Sequence, residues 1–208
     1  NPLDPKNLVD LQAAVVEHRA DIGLAFDGDA DRCFVIDERG EAVSPSAIAA
    51  IVAEREIARV RAAGESDIVV LHNLITSRVV PEVIRASGAT PVRTRVGHSL
   101  IKDRMAETGA VFGGEHSAHY YFRDFWGADN GMLAAMHVLA TLGAGQEPMS
   151  QLGARYSPYF ASGEINSTVA DVPAAYTRIV ESFTGEAEVD ELDGLTVRGN
   201  VAGDEPVW

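Results

Sequence analysis

The sequence predicts an α/β fold built on a mainly parallel sheet, and two features of its pattern indicate it. Between about residues 44 and 145, short apolar strands alternate with amphipathic helices over short connections. Residues 67–72 form a short apolar run, as is typical of a buried parallel strand. The chain has 208 residues, of which 46% are hydrophobic, enough for one large or two small domains with an ordinary core.

The order of elements follows from helix caps, apolar spacing and turn residues. Asp4 with Pro5, and Ser44 with Pro45, are suited to begin helices. Strands are predicted at residues 22–26, 34–37, 67–72, 90–96 and 110–112, and later helices after Thr76 or Ser77, at 99–108 and from Asp129 to about Gly143. From Tyr156 the prediction changes to a β-like stretch at 157–170, a helix from Pro173 to Phe183 and a strand at 195–197. This change predicts a domain boundary near residue 155.

Composition argues against several classes of protein. The net charge is −14 and no cluster of Lys and Arg occurs, so nucleic acid is not an expected partner. No run of 18 apolar residues and no signal-peptide pattern is present, so we expect no membrane association and a cytoplasmic location. Cys33 is the single cysteine, which excludes intrachain disulfides and predicts a small buried hydrophobe. We interpret the chain from Asn1 to Trp208 as a piece of a longer protein.

The most informative segment is Asp27-Gly28-Asp29-Ala30-Asp31-Arg32, which lies between two apolar strands. In an extended loop its three carboxylates would point the same way, because side chains alternate along an extended backbone. Such carboxylates repel one another unless a hard cation lies among them, and Mg²⁺ accepts a few carboxylates while leaving positions open for a phosphate. The guanidinium of Arg32 suits that phosphate. The segment, here called the acidic loop, therefore predicts a divalent-metal site.

Two other interpretations of the acidic loop stay open. With Glu38 as twelfth member, the three aspartates match most ligand positions of an EF-hand, but Arg32 stands where that loop needs glycine. An EF-hand also lies between helices, whereas strands are predicted here. A solvated acidic turn without metal is the second alternative, since charge runs are commonly just exposed to water.

A second polar segment, Gly113 to His119, follows a predicted strand. If it is extended, Glu115, Ser117 and His119 share one face, and their oxygens and ring nitrogen suit sugar hydroxyls. A Ser/His hydrolase pair is an alternative, although residues at this spacing rarely place Ser Oγ within hydrogen-bond reach of His. A zinc site is another, with His116 and His119 joined by His98 or Glu115.

A third polar segment, Gly97-His98-Ser99, precedes a helix, where backbone N–H groups attract anions. His98 is as well explained by a helix-entry position as by function, and Lys102 by a solvated surface charge. Three nearby aromatic residues are predicted to belong first to the core: Phe122, Phe125 and Trp126.

Together, in this order and spacing, the three segments resemble the α-D-phosphohexomutase superfamily, in particular its phosphomannomutase/phosphoglucomutase branch. The acidic loop is similar to the family's metal loop, residues 114–119 to its sugar-recognition loop, and residues 97–99 to its interdomain Gly-His-Ser. The resemblance covers essentially the whole chain. It implies three-layer α/β domains with a mixed, mainly parallel sheet, and an incomplete α+β domain at the C-terminal end.

The resemblance also implies a domain plan and an activity. Residues 1–43 would be the end of the family's second domain, 44–155 its third and 156–208 the truncated beginning of its fourth. The family is an isomerase that moves phosphate between C6 and C1 of a hexose through a phosphoserine, with Mg²⁺ as cofactor. The implied partners are mannose or glucose 1- and 6-phosphates.

Site roles are carried over only onto matching positions. Asp27, Asp29 and Asp31 would bind Mg²⁺, and Arg32 would contact phosphate or sugar. The implied catalytic residues are Arg32, His98 and His119, with His119 a participant in proton transfer. The implied substrate-binding residues are Arg32, Gly97, His98, Glu115 and Ser117.

Departures from the family pattern limit these expectations. The phosphoserine motif Ser-His-Asn-Pro and the phosphate loop of the fourth domain are absent, so this chain alone is expected to be inactive. Ala118 stands where many relatives have Gly, and Leu74 lies near a position where some carry Lys, so the preferred hexose is not predicted. Two alternatives stay open, a phosphoglucosamine mutase of the same family and a non-catalytic module that binds a divalent metal.

Overall fold

The computed structural model describes residues 1–199, which divide after Phe160 into two compact units. The three-part domain division drawn from the sequence, at residues 43 and 155, stays a prediction. Among residues 1–199, none of the helices combines the length and apolar character that a bilayer crossing requires.

The first unit begins with one turn of 3₁₀ helix, Pro5–Asn7, and helix α1, Val9–His18. An antiparallel sheet of three strands follows, with β1 Ile22–Phe26, β2 Cys33–Asp37 and β3 Ala42–Val43. Phe26 is opposite Cys33 in the β1–β2 register, so the acidic loop is the connection of a hairpin. Cys33 is fully buried, as predicted.

A second sheet contains five strands in the order β5-β4-β6-β7-β8. Their bounds are β4 Val69–Asn73, β5 Thr90–Thr94, β6 Phe112–Gly114, β7 Tyr120–Phe122 and β8 Ala128–Asp129. Strand β4 is parallel to both β5 and β6, whereas β7 and β8 extend the sheet antiparallel. The sheet is therefore mixed around a parallel centre. The carboxyl ends of β4, β5 and β6 meet at one edge, where ligands of such sheets bind.

The helices of this unit are α2 Pro45–Ala62, α3 Val79–Ala86, α4 His98–Thr108, α5 Gly131–Ala144 and α6 Met149–Arg155. Helices α2 and α3 cover one face of the five-stranded sheet, where Val70 and Phe112 join the main core. On the other face, Leu71 packs against Ile101 and Met105 of α4. This is the predicted three-layer α/β arrangement. Helix α2 also contacts β2 and so connects the two sheets, while α5 packs on α2, β1 and β2.

The second unit contains helix α7, Val172–Ser182, and an antiparallel pair, β9 Ala187–Asp190 with β10 Thr196–Gly199. Asp171 caps α7 by accepting a hydrogen bond from the Ala174 amide at 3.0 Å. Helix α7 and strand β10 were predicted, and their observed ends differ from the predicted ones by one or two residues. Strand β9 was not predicted.

Several local predictions were wrong. Residues 157–170 form no strand, because within residues 1–199 no segment pairs with them, and helix α6 was not predicted. The strand expected at 110–112 begins at Phe112 and runs to Gly114, since it must pair with residues 70–72 of β4. Asn130, and not Asp129, caps α5: its side chain accepts from the Leu133 amide at 2.8 Å. Trp126 is 88% exposed and so does not belong to the core, although Phe122 does.

Gly131, the first residue of α5, yields a test of how closely this helix and the acidic loop are packed. A Cβ placed on Gly131 would lie 2.4 Å from the carbonyl oxygen of Arg32, so backbone would have to shift. We predict that Gly131→Ala lowers the free energy of unfolding by about 1–3 kcal/mol, as overpacking does. Urea unfolding followed by circular dichroism measures it.

Gly143 offers a matched control in the same helix. A Cβ at Gly143 meets nothing within 4 Å, so Gly143→Ala should raise stability by about 0.5–1 kcal/mol through helix propensity alone. If Gly131→Ala proves as stable as Gly143→Ala, then the close contact between α5 and the acidic loop is not real.

Candidate functional site

The acidic loop is a tight hairpin connection and not an extended segment as predicted. The carbonyl of Asp27 accepts a hydrogen bond from the Ala30 amide at 3.3 Å, and Ala30 adopts a left-handed conformation with φ of 58°. The flanking elements are strands β1 and β2, whereas an EF-hand loop lies between helices, so the EF-hand interpretation fails.

The three aspartates of the loop converge despite the turn. One oxygen from each of Asp27, Asp29 and Asp31 lies within 4.8 Å of the others. Oδ1 of Asp31 is buried and accepts no hydrogen bond from the described residues, and its nearest cation, Arg32 Nε, lies 3.7 Å away. Hard oxygen donors in this arrangement fit a divalent cation such as Mg²⁺ or Ca²⁺.

Neighbouring charges act oppositely on two of these carboxylates. Burial alone would raise the pKa of Asp27, but hydrogen bonds from the backbone and side chain of Arg32 hold it below its usual value. Burial and the adjacent Asp27 carboxylate raise the pKa of Asp31. The loop thus holds one carboxylate that stays ionised and another that a cation would stabilise in its ionised form.

Arg32 is tied to the acidic loop itself. Its backbone N–H donates to Asp27 Oδ1 at 3.1 Å and its Nε donates to Asp27 Oδ2 at 2.6 Å, while Nη1 lies 3.1 Å from Asn1 Oδ1. The guanidinium is therefore fixed beside the carboxylates. A contact from Arg32 to phosphate or sugar stays a prediction.

Residues 115–119 form a second tight turn, between β6 and β7, and not the extended segment expected. The Ala118 amide donates to the Glu115 carbonyl at 3.2 Å, and Ala118 has φ of 68°, a conformation that glycine adopts more readily. The three predicted side chains converge nevertheless. Ser117 Oγ lies 2.9 Å from His119 Nδ1, and Glu115 Oε2 lies 3.3 Å from the same nitrogen.

Glu115 is 3% exposed and has several hydrogen-bond partners. Asn73 Nδ2 donates to one oxygen at 3.1 Å, and the Tyr121 hydroxyl donates to the other at 2.9 Å. Burial alone would raise the pKa of Glu115, but these bonds and the one to His119 lower it. For His119, burial favours a lower pKa, but the Glu115 carboxylate outweighs it and raises the pKa. Glu115 thus stays ionised and stabilises the protonated His119.

The two turns are joined directly. The Cys33 amide donates to the Ala118 carbonyl at 3.3 Å, and Arg32 and His119 form an antiparallel bridge. This pairing brings His119 Nε2 to 3.7 Å from Asp31 Oδ2. Segments separated by more than 80 residues in sequence therefore form one polar site.

His98 reaches this site from the first turn of α4. Its Nε2 lies 2.5 Å from Asp129 Oδ2, and its ring centroid lies 5.6 Å from those of both His119 and Tyr121. Gly97, the residue before α4, has φ of 145°, which a side chain would disfavour. Lys102, predicted to be a surface charge, lies 2.9 Å from Asp129 Oδ1.

Two alternatives for this region fit the geometry poorly. The Ser117–His119 hydrogen bond exists, contrary to the expectation that this spacing rarely permits one, but Ser117 and Glu115 face the same ring nitrogen. A hydrolytic triad needs the serine and the acid on opposite nitrogens. For zinc, His116 would have to join His119, yet His116 Nδ1 is hydrogen-bonded to Ser46 Oγ at 2.8 Å and belongs to neither metal-compatible group found among residues 1–199.

Four residues were not predicted to belong to the site: Asn73, Lys102, Tyr121 and Asp129. Asn73 carried a usable signal, because it ends a buried strand at the edge where ligands bind. Asp129 was interpreted as a helix cap, a common role for aspartate that hid its actual contacts.

Comparison with known proteins gives a consistent picture. The family description "Phosphoglucomutase/phosphomannomutase, alpha/beta/alpha domain III" matches residues 44–159, and the corresponding domain II description matches residues 1–40. A phosphomannomutase of Salmonella typhimurium is 39% identical over 199 residues, which are 95% of this chain and 42% of the relative. A phosphomannomutase of Methanocaldococcus jannaschii is 34% identical over 190 residues, 91% of this chain and 41% of the relative.

Solved structures agree on the fold. A phosphoglucomutase/phosphomannomutase family protein from Burkholderia thailandensis superposes with a TM-score of 0.74 at 27% identity, covering 99% of this chain and 45% of that one. The Paramecium phosphoglucomutase parafusin superposes with a TM-score of 0.67 at 17% identity, covering 94% of this chain and 39% of that one, and supports the fold alone. The chain thus spans less than half the length of these relatives. With one family domain matched over residues 44–159 and a second over residues 1–40, the chain belongs to the phosphoglucomutase/phosphomannomutase family.

Proposed function

We propose that the protein containing this chain is a phosphomannomutase/phosphoglucomutase. It would exchange a phosphoryl group between C6 and C1 of mannose or glucose phosphates, in the cytoplasm. The observation that carries the proposal is the single site formed by the acidic loop and the Glu115–His119 turn, joined through the Cys33–Ala118 hydrogen bond. Relatives of the same name at 34–39% identity support the choice of reaction.

Mg²⁺ is the proposed metal, with Asp27, Asp29 and Asp31 as its protein ligands. Two observations support this assignment: the oxygens converge within 4.8 Å, and the buried Oδ1 of Asp31 accepts no hydrogen bond from the described residues. When bound, Mg²⁺ would neutralise the carboxylates and polarise a phosphoryl oxygen of the substrate or the phosphoserine. Arg32, fixed by Asp27, would keep positive charge beside that phosphoryl group.

The turn at residues 115–119 is proposed to bind the sugar. Ser117 and His119 are only partly buried and offer hydrogen-bonding groups toward the site. His119, whose pKa is raised above its ordinary value, would hold a proton near the reacting hydroxyl and exchange it during transfer. Glu115 was also predicted to bind the sugar. Its contact with His119 favours a different main role, which is to stabilise the His119 ring. Gly97 and His98 would complete the sugar site.

Assays of the full-length protein with phosphates of mannose, glucose and glucosamine test the reaction. We expect Mg²⁺-dependent interconversion of the 1- and 6-phosphates of mannose, glucose or both. Turnover of glucosamine phosphates alone would establish the phosphoglucosamine mutase alternative. Absence of turnover with all three, together with preferential Ca²⁺ binding, would support a non-catalytic metal-binding module instead.

Asp29 provides the sharpest test of the metal site, because its exposed carboxylate is the ligand least involved in other contacts. We predict that Asp29→Asn weakens Mg²⁺ binding by roughly tenfold or more, since a ligand should matter at least as much as its supporting residues. Isothermal titration calorimetry measures the affinity, and Asp103→Asn, an exposed aspartate on α4, should leave it unchanged. An Mg²⁺ affinity equal to that of the wild type would exclude the acidic loop as the metal site.

Tyr121 tests the proposed support of Glu115. Tyr121→Phe removes the hydroxyl that donates to a buried carboxylate, so stability at neutral pH should fall by about 1–2 kcal/mol. The pKa of Glu115 is lowered in the folded state, so the stability that it supplies is present at neutral pH and lost as the pH falls through that pKa. The difference between variant and wild type should therefore shrink in acid.

Chemical denaturation at a series of pH values measures this difference. Tyr159→Phe is the control, because its hydroxyl donates to Glu82, a carboxylate that is only partly buried, and its loss should cost no more than about 0.5 kcal/mol. A Tyr121→Phe penalty that stays constant from neutral to acidic pH would show that the hydroxyl does not act through the ionised Glu115.

A further inference from the structure

Asp129 lies within the polar site, although it belongs to none of the three polar segments. It is the second residue of β8, directly opposite Tyr121 in the antiparallel register, and its side chain is 6% exposed. The neighbouring Asn130 caps α5, so the backbone on both sides of Asp129 is fixed by hydrogen bonds. A buried carboxylate with a fixed backbone is well suited to hold other groups in place.

The two oxygens of Asp129 bind two different residues of α4. Oδ2 lies 2.5 Å from His98 Nε2, and Oδ1 lies 2.9 Å from Lys102 Nζ. His98 and Lys102 are four residues apart and therefore share one face of the helix. Burial would raise the pKa of Asp129, but the bonds to Lys102 and His98 lower it, so the carboxylate is ionised when it holds them.

These contacts determine where His98 stands relative to the acidic loop. A nitrogen of His98 and an oxygen of Asp129 both lie within 4.8 Å of an oxygen of Asp31. The side chain of His98 is 48% exposed, so packing alone does not confine it. Among the described residues, Asp129 is the hydrogen-bond partner of the His98 ring.

We propose that Asp129 is a positioning residue for the substrate site: it holds His98 in the tautomer that carries its hydrogen on Nε2, which leaves Nδ1 as an acceptor for a substrate hydroxyl. The other oxygen of the same carboxylate forms an ion pair with the Lys102 ammonium at 2.9 Å. The orientation of His98 stands on geometry alone. The use of that orientation in catalysis rests on the proposed function.

The tautomer can be observed directly in this chain. Long-range ¹H–¹⁵N spectra are recorded at a pH high enough for the imidazole ring to be neutral. They should show His98 of the wild type predominantly as the Nε2–H form. Asp129→Ala should produce a mixture with the Nδ1–H form, and Asp129→Asn a smaller shift in the same direction. Lys102→Met should leave the tautomer unchanged. The control is Asp124→Asn, which should also leave the tautomer unchanged, because Asp124 pairs with Arg59 outside the site.

An unchanged Nε2–H population in both Asp129 variants, with the backbone spectrum preserved, would overturn the proposal. If Asp129→Ala does not fold, the isosteric Asp129→Asn decides, because its amide can donate as well as accept and so no longer selects one tautomer. A wild-type ring found predominantly as Nδ1–H would also overturn it.

Steady-state kinetics of the full-length enzyme separates positioning from general structural support. If Asp129 acts through His98, the loss of kcat/KM in the Asp129→Asn/His98→Ala double variant should not exceed that of His98→Ala alone. Losses that multiply would mean that Asp129 acts independently of His98, which contradicts the proposal. If the wild-type enzyme does not interconvert hexose phosphates at all, the proposed function fails, whereas the tautomer measurement still decides the role of Asp129.

Discussion

Between the start of β2 and the turn that precedes β7, the Cys33 amide donates to the Ala118 carbonyl at 3.3 Å, and the candidate site depends on this pairing. A second backbone bond holds the acidic loop to α5: the amide of Gly131, the first residue of that helix, donates to the Ala30 carbonyl at 2.9 Å. Backbone hydrogen bonds on two sides thus fix a loop whose three carboxylates would otherwise repel one another. Both turns also contain a non-glycine residue at positive φ, Ala30 and Ala118, a conformation that the surrounding structure must support.

The site concentrates negative charge within a protein that is already acidic. The carboxylates of the acidic loop, Glu115 and Asp129 are opposed by few cations. Each of these is held by a carboxylate: Arg32 by Asp27, Lys102 by Asp129 and the protonated His119 by Glu115. Such pairing keeps the cations in position but reduces the positive field that a phosphate would experience. A divalent cation on the acidic loop would reverse this balance locally, so a site for the proposed sugar phosphate can be built from acids.

Sequence reasoning located the acidic loop, the turn at residues 115–119 and His98 because their residue types are unusual between apolar strands, and it identified the α/β pattern from periodicity. It predicted extended segments where tight turns occur, since positive φ at alanine has no sequence signal. It missed Asp129 and Tyr121 because their roles arise from antiparallel pairing of β7 with β8, a long-range feature that a local pattern does not contain. It failed at residues 157–170 because β propensity does not supply a partner strand.

The central claim is that the acidic loop binds a divalent cation within the polar site that it shares with the turn at residues 115–119. Mn²⁺ added in substoichiometric amounts to the ¹⁵N-labelled chain tests it, because this paramagnetic ion broadens the amide signals nearest to it. The account predicts that signals of residues 28–32 and 117–119 broaden together, and that excess Mg²⁺ restores them. Broadening confined to the acidic loop, or centred on another acidic part of the surface, would contradict it.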